Sequence, residues 1–408
     1  MDEFILTLDQ FTYGGDCLGR LPDGRAVFVP FTLPGERVRI RLTEEKKGFA
    51  RGKVLEVLAP STQRITPRCS HFGECGGCQF QHMPYPLQLA AKAEMLRDQL
   101  RRLGKLADPQ VEETVASPQE FYYRNQVQFH LSPGGKLGFQ AERSHRVVEI
   151  KECHLPEAEL NELWPQLDLE PLPGLERLGL RKGEGGEAML VLESSLLEAP
   201  ELSVEELPVS VVHLSPAGSL VLAGSGDLVL EVLGRQFVVS ADSFFQVNTR
   251  QAENMVRYLL ERLPLGPQVT LLELYSGVGL FSAFLAGRVG RLTAVEESPS
   301  ACQDFETNLD EFDNVELYEA PVEDTLPALG IHPDVLLADP PRAGLGDRVV
   351  QSILKLGPPT LAYISCDPST LARDARGLVA GGYRLETVTP FDMFPQTYHI
   401  ESISLWHR

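Results

Sequence analysis

Between residues 269 and 366 four short apolar runs each end on glycines, acids or a thiol, and few folds accommodate that pattern. Runs this short, bounded by turn residues, read as buried strands, and open α/β sheets place their ligands at the carboxyl ends of such strands. The expected strands are Thr270–Leu274, Leu292–Val295, Val335–Ala338 and Leu361–Ser365. They deliver, in turn, Tyr275-Ser276-Gly277-Val278-Gly279, Glu296, Asp339-Pro340-Pro341-Arg342 and Cys366-Asp367-Pro368. A doubly wound sheet would gather all four motifs at one edge.

The chemistry of each motif suits such an edge. Glycines let backbone approach a ligand at a helix N-terminus. Ser282 stands where a dinucleotide fingerprint has its third glycine, which disfavours nicotinamide or flavin binding. Glu296, 17 residues past Gly279, can accept hydrogen bonds from both hydroxyls of a ribose. Asp339 and Arg342 offer an acceptor and a donor fork on a backbone stiffened by two prolines, although a solvated ion pair at a turn would look the same. Cys366 would face the cleft as a nucleophile. Glu401, 35 residues further on and flanked by Ile400 and Ile403, is a carboxylate in apolar surroundings that could tune a general base. A lone cysteine reads more simply as an inert core residue; the neighbouring motifs favour the nucleophile.

A second concentration of chemistry is Cys69, Cys75 and Cys78, spaced C-x5-C-x2-C, with Cys153 far downstream. Three of the 7 cysteines within ten positions argue against chance, and Cys153 completes a four-cysteine metal site. Zinc and a [4Fe-4S] cluster both accept four thiolates, so the spacing leaves both open. Cys17 and Cys302 are expected as packing residues.

With 408 residues and 43% hydrophobic content the chain can bury two or three cores. No basic segment precedes an apolar one at Met1-Asp2-Glu3-Phe4 and no apolar run approaches a membrane span, so a cytoplasmic protein with no membrane partner is expected. Clustered thiols suit a reducing compartment. The net charge of −20 argues at first against a polyanionic partner. Yet residues 1–151 hold 21 basic and 18 acidic groups against 16 and 39 in residues 152–408. The early part can therefore meet phosphate.

Three domains follow. Residues 1–60 read as an OB-like barrel of short strands, with Ala26–Pro30 and Arg37–Leu42 separated by Pro34-Gly35 and a basic loop at Lys46–Lys53. Arg37, Arg39 and Arg41 alternate onto one strand face, which suits a backbone-tracking groove; a stabilising cap is the plainer alternative. Residues 61–243 form a mostly β central domain. It carries an amphipathic helix at Leu87–Leu103 that could pack on the catalytic domain, with Lys92, Arg97, Arg101 and Arg102 off the apolar face. Aromatic and basic residues interleave at Phe121–Phe129 and Arg143–Arg146, as unstacked bases or half-buried strands would both require. Residues 165–240 read as a β insert, and residues 244–408 as the catalytic sheet.

Over nearly the whole chain these residues resemble the RNA uracil-5-methyltransferase family, which includes 23S rRNA and tRNA enzymes making 5-methyluridine. The resemblance implies a class I S-adenosylmethionine-dependent methyltransferase domain. Gln246, in Phe244-Phe245-Gln246-Val247-Asn248, would bind the cofactor with Tyr275, Glu296 and Asp339. Cys366 would add to C6 of a uracil and Glu401 would remove the C5 proton. The family usually has Ser-Cys-Asn-Pro where this chain has Ser365-Cys366-Asp367-Pro368, which bears on local hydrogen bonding. Cytosine-5 enzymes carry a second cysteine near the Asp-Pro-Pro-Arg segment, and none lies between Cys302 and Cys366 here. Residues 1–60 resemble the TRAM domain. Cys69-x5-Cys75-Gly76-Gly77-Cys78, ending Gln81-His82, is similar to the cluster signature of the 23S rRNA branch, which implies a [4Fe-4S] cluster on Cys69, Cys75, Cys78 and Cys153. Radical chemistry is disfavoured, because radical enzymes use C-x3-C-x2-C and leave one iron open. The implied protein is a monomeric enzyme acting on a flipped-out uridine of 23S rRNA. The alternatives are a tRNA enzyme or a non-catalytic RNA-binding or redox-sensing iron–sulfur protein.

Overall fold

The computed structural model describes residues 2–167, 174–199 and 208–408, so part of the β insert expected at 165–240 lies outside the described residues. Strands β1 (Glu3–Phe11), β2 (Cys17–Arg20), β3 (Ala26–Val29), β4 (Arg37–Glu45) and β5 (Phe49–Ala59) close a barrel in the order β1-β2-β3-β5-β4. Alternation along β4 buries Val38, Ile40 and Leu42 and turns Arg37, Arg39 and Arg41 outward. Two of those arginines meet acids on the barrel surface, Arg41 with Glu3 at 2.8 Å and Arg39 with Glu56 at 3.4 Å.

The central sheet comprises β6 (Gln126–Leu131), β7 (Leu137–Gln140), β8 (Val147–Glu149), β9 (Leu175–Lys182), β10 (Ala188–Ser194), β11 (Ser210–Ser215) and β12 (Gly218–Ala223). Its order is β12-β11-β10-β9-β6-β7-β8, all antiparallel except β10 with β11. A hairpin follows, β13 (Asp227–Val232) and β14 (Arg235–Ser240), which the sequence assigned to the central domain. It packs on both sides: Val232, Phe237 and Val239 enter the core of the catalytic sheet, while Leu228 packs with Met189, Val191 and Val212 of the central sheet. Asn308 accepts from Val238 N at 2.8 Å and donates to Val238 O at 3.0 Å, standing in for a missing strand partner. The catalytic core therefore recruits chain from ahead of residue 244.

The catalytic sheet contains β15 (Gly266–Leu274), β16 (Val289–Glu296), β17 (Val315–Glu319), β18 (Val335–Ala338), β19 (Thr360–Ser365), β20 (Arg384–Phe391) and β21 (Glu401–His407). The order β17-β16-β15-β18-β19-β21-β20 reverses direction between β15 and β18, which makes that crevice the topological switch point. β15 to β19 are parallel and β21 runs antiparallel to β19. Every residue of β18 and β19 is buried, as strands covered on both faces must be.

The amphipathic helix runs Tyr85–Arg102, with Pro86 in its first turn where a missing N–H costs nothing. Its Ala91, Met95, Leu96 and Leu100 pack on Leu371, Ala372 and Ala375 of helix Pro368–Ala380, so it does cover the catalytic sheet. One expectation fails here. Lys92 is not on a solvent face but fully buried, with its ammonium 2.5 Å from Asp392 Oδ1 and 3.0 Å from Phe394 O.

Candidate active site

The four polar motifs meet at the switch point. Tyr275 and Ser276 donate their amides to Val295 O at 2.9 and 3.2 Å, which binds the glycine loop to the end of β16. Tyr275 itself adopts φ 61°, a left-handed conformation uncommon for a side-chain-bearing residue. Gly277 and Gly279 also have positive φ, but for different surroundings. A Cβ on Gly277 would meet open space, whereas one on Gly279 would lie 2.4 Å from Leu309 Cδ1. The first glycine thus serves the loop surface and the second serves helix packing.

Glu296 closes the loop from below. Its Oε2 accepts from Gly277 N at 2.8 Å, and its Oε1 accepts from Glu297 N and Ser298 N at 2.9 Å each. Beneath it lies a residue that the sequence reading missed: Glu273, buried on β15, accepts the hydroxyl of Ser282. Burial pushes its carboxyl up to about 8, opposed by the Ser282 hydrogen bond and reinforced by Asp339 and Glu296. Ser282, whose presence argued against a dinucleotide site, is therefore the partner of a buried acid. An in-register acid in an apolar strand was the available signal.

Asp339 directly follows β18, its amide donating to Leu274 O at 3.2 Å, and burial pushes its carboxyl up to about 7. Gln246 is buried one turn ahead of helix Thr249–Arg262. Asn248 caps that helix, accepting from Gln251 N at 3.2 Å and donating to Ser117 Oγ at 3.0 Å. The glycine cradle, the strand-end acid Glu296 and the half-buried Asp339 form a donor and acceptor set that suits an adenosine-bearing cofactor.

Cys366 and Glu401 come together through strand register. Ser365 of β19 pairs with Ser402 of β21, so Cys366 and Glu401 stand one residue beyond the ladder on adjacent strands. Glu401 is buried, and burial raises its carboxyl well above the usual range, with Asp339 adding to the rise and Arg342 opposing it. The Cys366 thiol is pushed up to about 12 by burial and then by the carboxylates of Glu401, Asp339 and Asp367, against the lowering effect of Arg342. Arg342 is exposed at the mouth of the cleft.

The segment leading to Glu401 is held by residues distant in sequence. Gln88 donates to Gln396 Oε1 at 2.9 Å and accepts from its amide at 3.0 Å. Tyr123 donates to Pro395 O at 3.0 Å and Asn248 to Met393 O at 3.3 Å. Tyr123, in a stretch whose pattern suited unstacked bases and half-buried strands alike, is buried and serves as a pin. Its neighbours Phe121 and Tyr122 carry the guanidinium of Arg68, 5.2 and 5.1 Å from their ring centres.

A cleft of about 700 Å³ is walled by Cys69, Cys75, Cys78 and Cys153 together with Arg342 and Phe394. The four are free thiols, each raised by burial, Cys78 to about 12 and Cys153 to about 11. Their fields act on one another, and Gly77 N donates to Cys75 Sγ at 3.4 Å. They converge without closing: among the described residues no group of three or more His, Cys, Asp or Glu is arranged to hold a metal ion. Cys17 and Cys302 are buried packing residues as expected. No helix among the described residues is long and apolar enough to cross a membrane.

Comparison with known proteins matches the TRAM profile to residues 5–55 and the tRNA (Uracil-5-)-methyltransferase profile to residues 197–330 and 331–408. The chain belongs to this family. It is an S-adenosylmethionine-dependent RNA (uracil-C5)-methyltransferase. An uncharacterized RNA methyltransferase of Thermosynechococcus vestitus is 37% identical, the match covering 98% of this chain and 97% of that one. A second, from Halalkalibacterium halodurans, is 34% identical over 99% of this chain and 96% of the other. The fold is shared with the Pyrococcus abyssi tRNA (uracil-54, C5)-methyltransferase, crystallised with S-adenosyl-L-homocysteine, at a TM-score of 0.75, 24% identity and coverage of 98% and 100%.

Proposed function

We propose that the enzyme methylates C5 of a uridine in 23S rRNA by covalent catalysis, with Cys366 as nucleophile and Glu401 as base. The observation that carries this reading is the register that brings a thiol and a buried carboxyl together beside Asp339. C5 of uracil is a weak nucleophile. Addition of the Cys366 thiolate to C6 forms a C–S bond and moves the ring electrons into an enolate that is nucleophilic at C5. S-adenosylmethionine, when bound, supplies the methyl group that C5 accepts, and Gln246, Tyr275, Glu296 and Asp339 are the residues that would hold it. Glu401 then takes the C5 proton, the C5–C6 double bond re-forms and the thiolate leaves. A carboxyl raised by burial is a stronger base once ionised, which suits that proton transfer. A thiol at about 12 supports ionisation on encounter with substrate rather than a standing thiolate.

The choice of 23S rRNA over tRNA rests on the four cysteines. Their convergence from segments some 75 residues apart supports a [4Fe-4S] cluster, held by Cys69, Cys75, Cys78 and Cys153. A cluster there would tie the two segments together and shape one wall of the cleft. Mapping 5-methyluridine in total RNA from a strain lacking the gene tests the assignment: loss in 23S rRNA is expected, and loss confined to tRNA would transfer the activity to the alternative substrate.

A further inference from the structure

Asp367, the residue after the nucleophile, is held by two domains at once. Its Oδ1 caps helix Pro368–Ala380, accepting from Ser369 N at 2.8 Å and Thr370 N at 3.1 Å. Its Oδ2 accepts the hydroxyl of Tyr13 at 2.9 Å, and Tyr13 lies on the turn between β1 and β2 of the barrel. The family's usual asparagine has one acceptor oxygen and a donor amide at this place. An aspartate has only acceptors, so its second oxygen calls for a donor, and the barrel supplies one.

The same turn reaches the base segment. The Tyr13 ring stands edge-on to Tyr398, 6.1 Å between centres at 83°, and Tyr398 is three residues before Glu401. A Cβ on Gly15 would come within 3.2 Å of Tyr398 Cβ and 3.3 Å of Phe80, so the turn is seated without space to spare. Asp16 fixes it there, accepting from Arg143 of the central domain at 2.6 Å and from Arg51 of β5 at 3.1 Å. Residues 13–16 thus wedge between the segment carrying Cys366 and the segment carrying Glu401.

We propose that Tyr13 is a positioning residue: the barrel, besides meeting RNA, completes the catalytic site by holding Asp367 and with it the backbone that aims Cys366. This deepens the covalent reading given above and depends on it. Cys366 is faced by Glu401, Asp339 and Asp367 as acids and by Arg342 as a cation. Withdrawing the Tyr13 hydroxyl leaves the Asp367 carboxylate undamped beside the thiol.

The test uses the full chain and RNA containing 5-fluorouridine, which traps the covalent adduct. Wild-type protein must form the adduct; if it does not, the covalent reading itself fails and Tyr13 is not at issue. Tyr13→Phe keeps the ring against Tyr398 and removes only the hydroxyl. It should slow adduct formation about 10- to 100-fold, move the pH dependence of that rate to higher pH, and leave KM for RNA, S-adenosylmethionine binding and the unfolding midpoint close to wild type. Asp367→Asn in the Tyr13→Phe background should restore most of the rate, because the amide removes the unpaired charge and keeps the cap. Normal adduct formation in Tyr13→Phe overturns the proposal. So does a slow rate that Asp367→Asn does not relieve, or a loss expressed wholly in KM for RNA.

Discussion

Lys92 and Asp392, 300 residues apart, form an ion pair at 2.5 Å in which both side chains are fully buried. The pair fastens the central helix to the start of the segment that ends in Glu401, and the Lys92 ammonium also donates to Phe394 O within that segment. Burial lowers the affinity of Lys92 for its proton, and Asp392 opposes the fall. Lys92→Met should cost about 3–5 kcal/mol in denaturant unfolding, because it strands a buried carboxylate. Replacing both residues by apolar ones of similar size should recover most of that loss while kcat stays low, since the segment is no longer anchored. Recovery of full kcat in the double variant would show that the pair has no part in placing Glu401.

Cys366→Ala should abolish methylation and also abolish the adduct with 5-fluorouridine RNA. Glu401→Gln should add to C6 and accept the methyl group but release product very slowly, so a protein–RNA adduct should accumulate on normal substrate. In wild type the rate of adduct formation should rise with pH through the neutral and alkaline range, because the thiol must lose a proton held up to about 12. Gel mobility under denaturing conditions reads all three; normal turnover in Glu401→Gln would mean the proton leaves by another route.

Glu273 makes a stability prediction with a definite sign. Its carboxyl is raised in the folded state from the usual 4.5 to about 8. The folded protein therefore binds the proton more tightly than the unfolded chain, and stability from this group is complete below about 4.5 and drains away as pH rises towards 8. The slope approaches about 1.4 kcal/mol per pH unit inside that window. Glu273→Gln keeps an acceptor for Ser282 and cannot ionise, so unfolding free energies measured from pH 5 to 8 should fall less steeply than in wild type. Parallel curves would place the titrating group elsewhere.

Anaerobically purified protein should be brown, with about four irons and four sulfides per chain. Cys75→Ser should lose the colour and lower the unfolding midpoint, because the site ties Cys153 to a loop some 75 residues earlier. A colourless protein with one bound zinc would assign the four thiols to a different metal.

RNA affinity should fall linearly with log salt, by about 0.7 per neutralised phosphate for a single-stranded target. Arg51 is unsuited to testing the barrel's share, since it is bonded to Asp16 and stacked by Phe28 and Phe49. Lys46, Lys47 and Lys53 are exposed on the same hairpin. Reversing these three charges should weaken RNA binding and flatten the salt slope while leaving S-adenosylmethionine affinity unchanged. An unchanged slope would make the barrel a structural wedge alone.

Much of the catalytic sheet was legible because its signals are local. Short apolar runs ending in Gly, Glu, Asp or Cys state both that a strand is buried and where it stops; Val335–Ala338 appears with the expected bounds, and Thr360–Ser365 begins one residue earlier. The apolar face of the helix carrying Leu96 and Leu100 was legible from its 3.6-residue period. That period could not place Lys92, because a lysine flanking an apolar face goes to solvent unless a partner awaits it, and Asp392 belongs to a segment 300 residues away. The contact of the hairpin Asp227–Ser240 with the catalytic domain was hidden for a similar reason, since it runs through the side chains of Asn308 and Asp304 and not through a further strand.

By itself, then, the sequence determined which strands form, which polar groups stand at their ends, and the family to which those groups belong. Pattern and spacing act over a few residues, and they are written in order along the chain. Only the tertiary structure decided that the β1–β2 turn reaches Asp367, that Glu273 and Glu401 sit where water cannot solvate their charge, and that four cysteines and Arg342 share one cleft. Those relationships depend on desolvation and on contacts between segments far apart in sequence, and both exist only once the domains have packed.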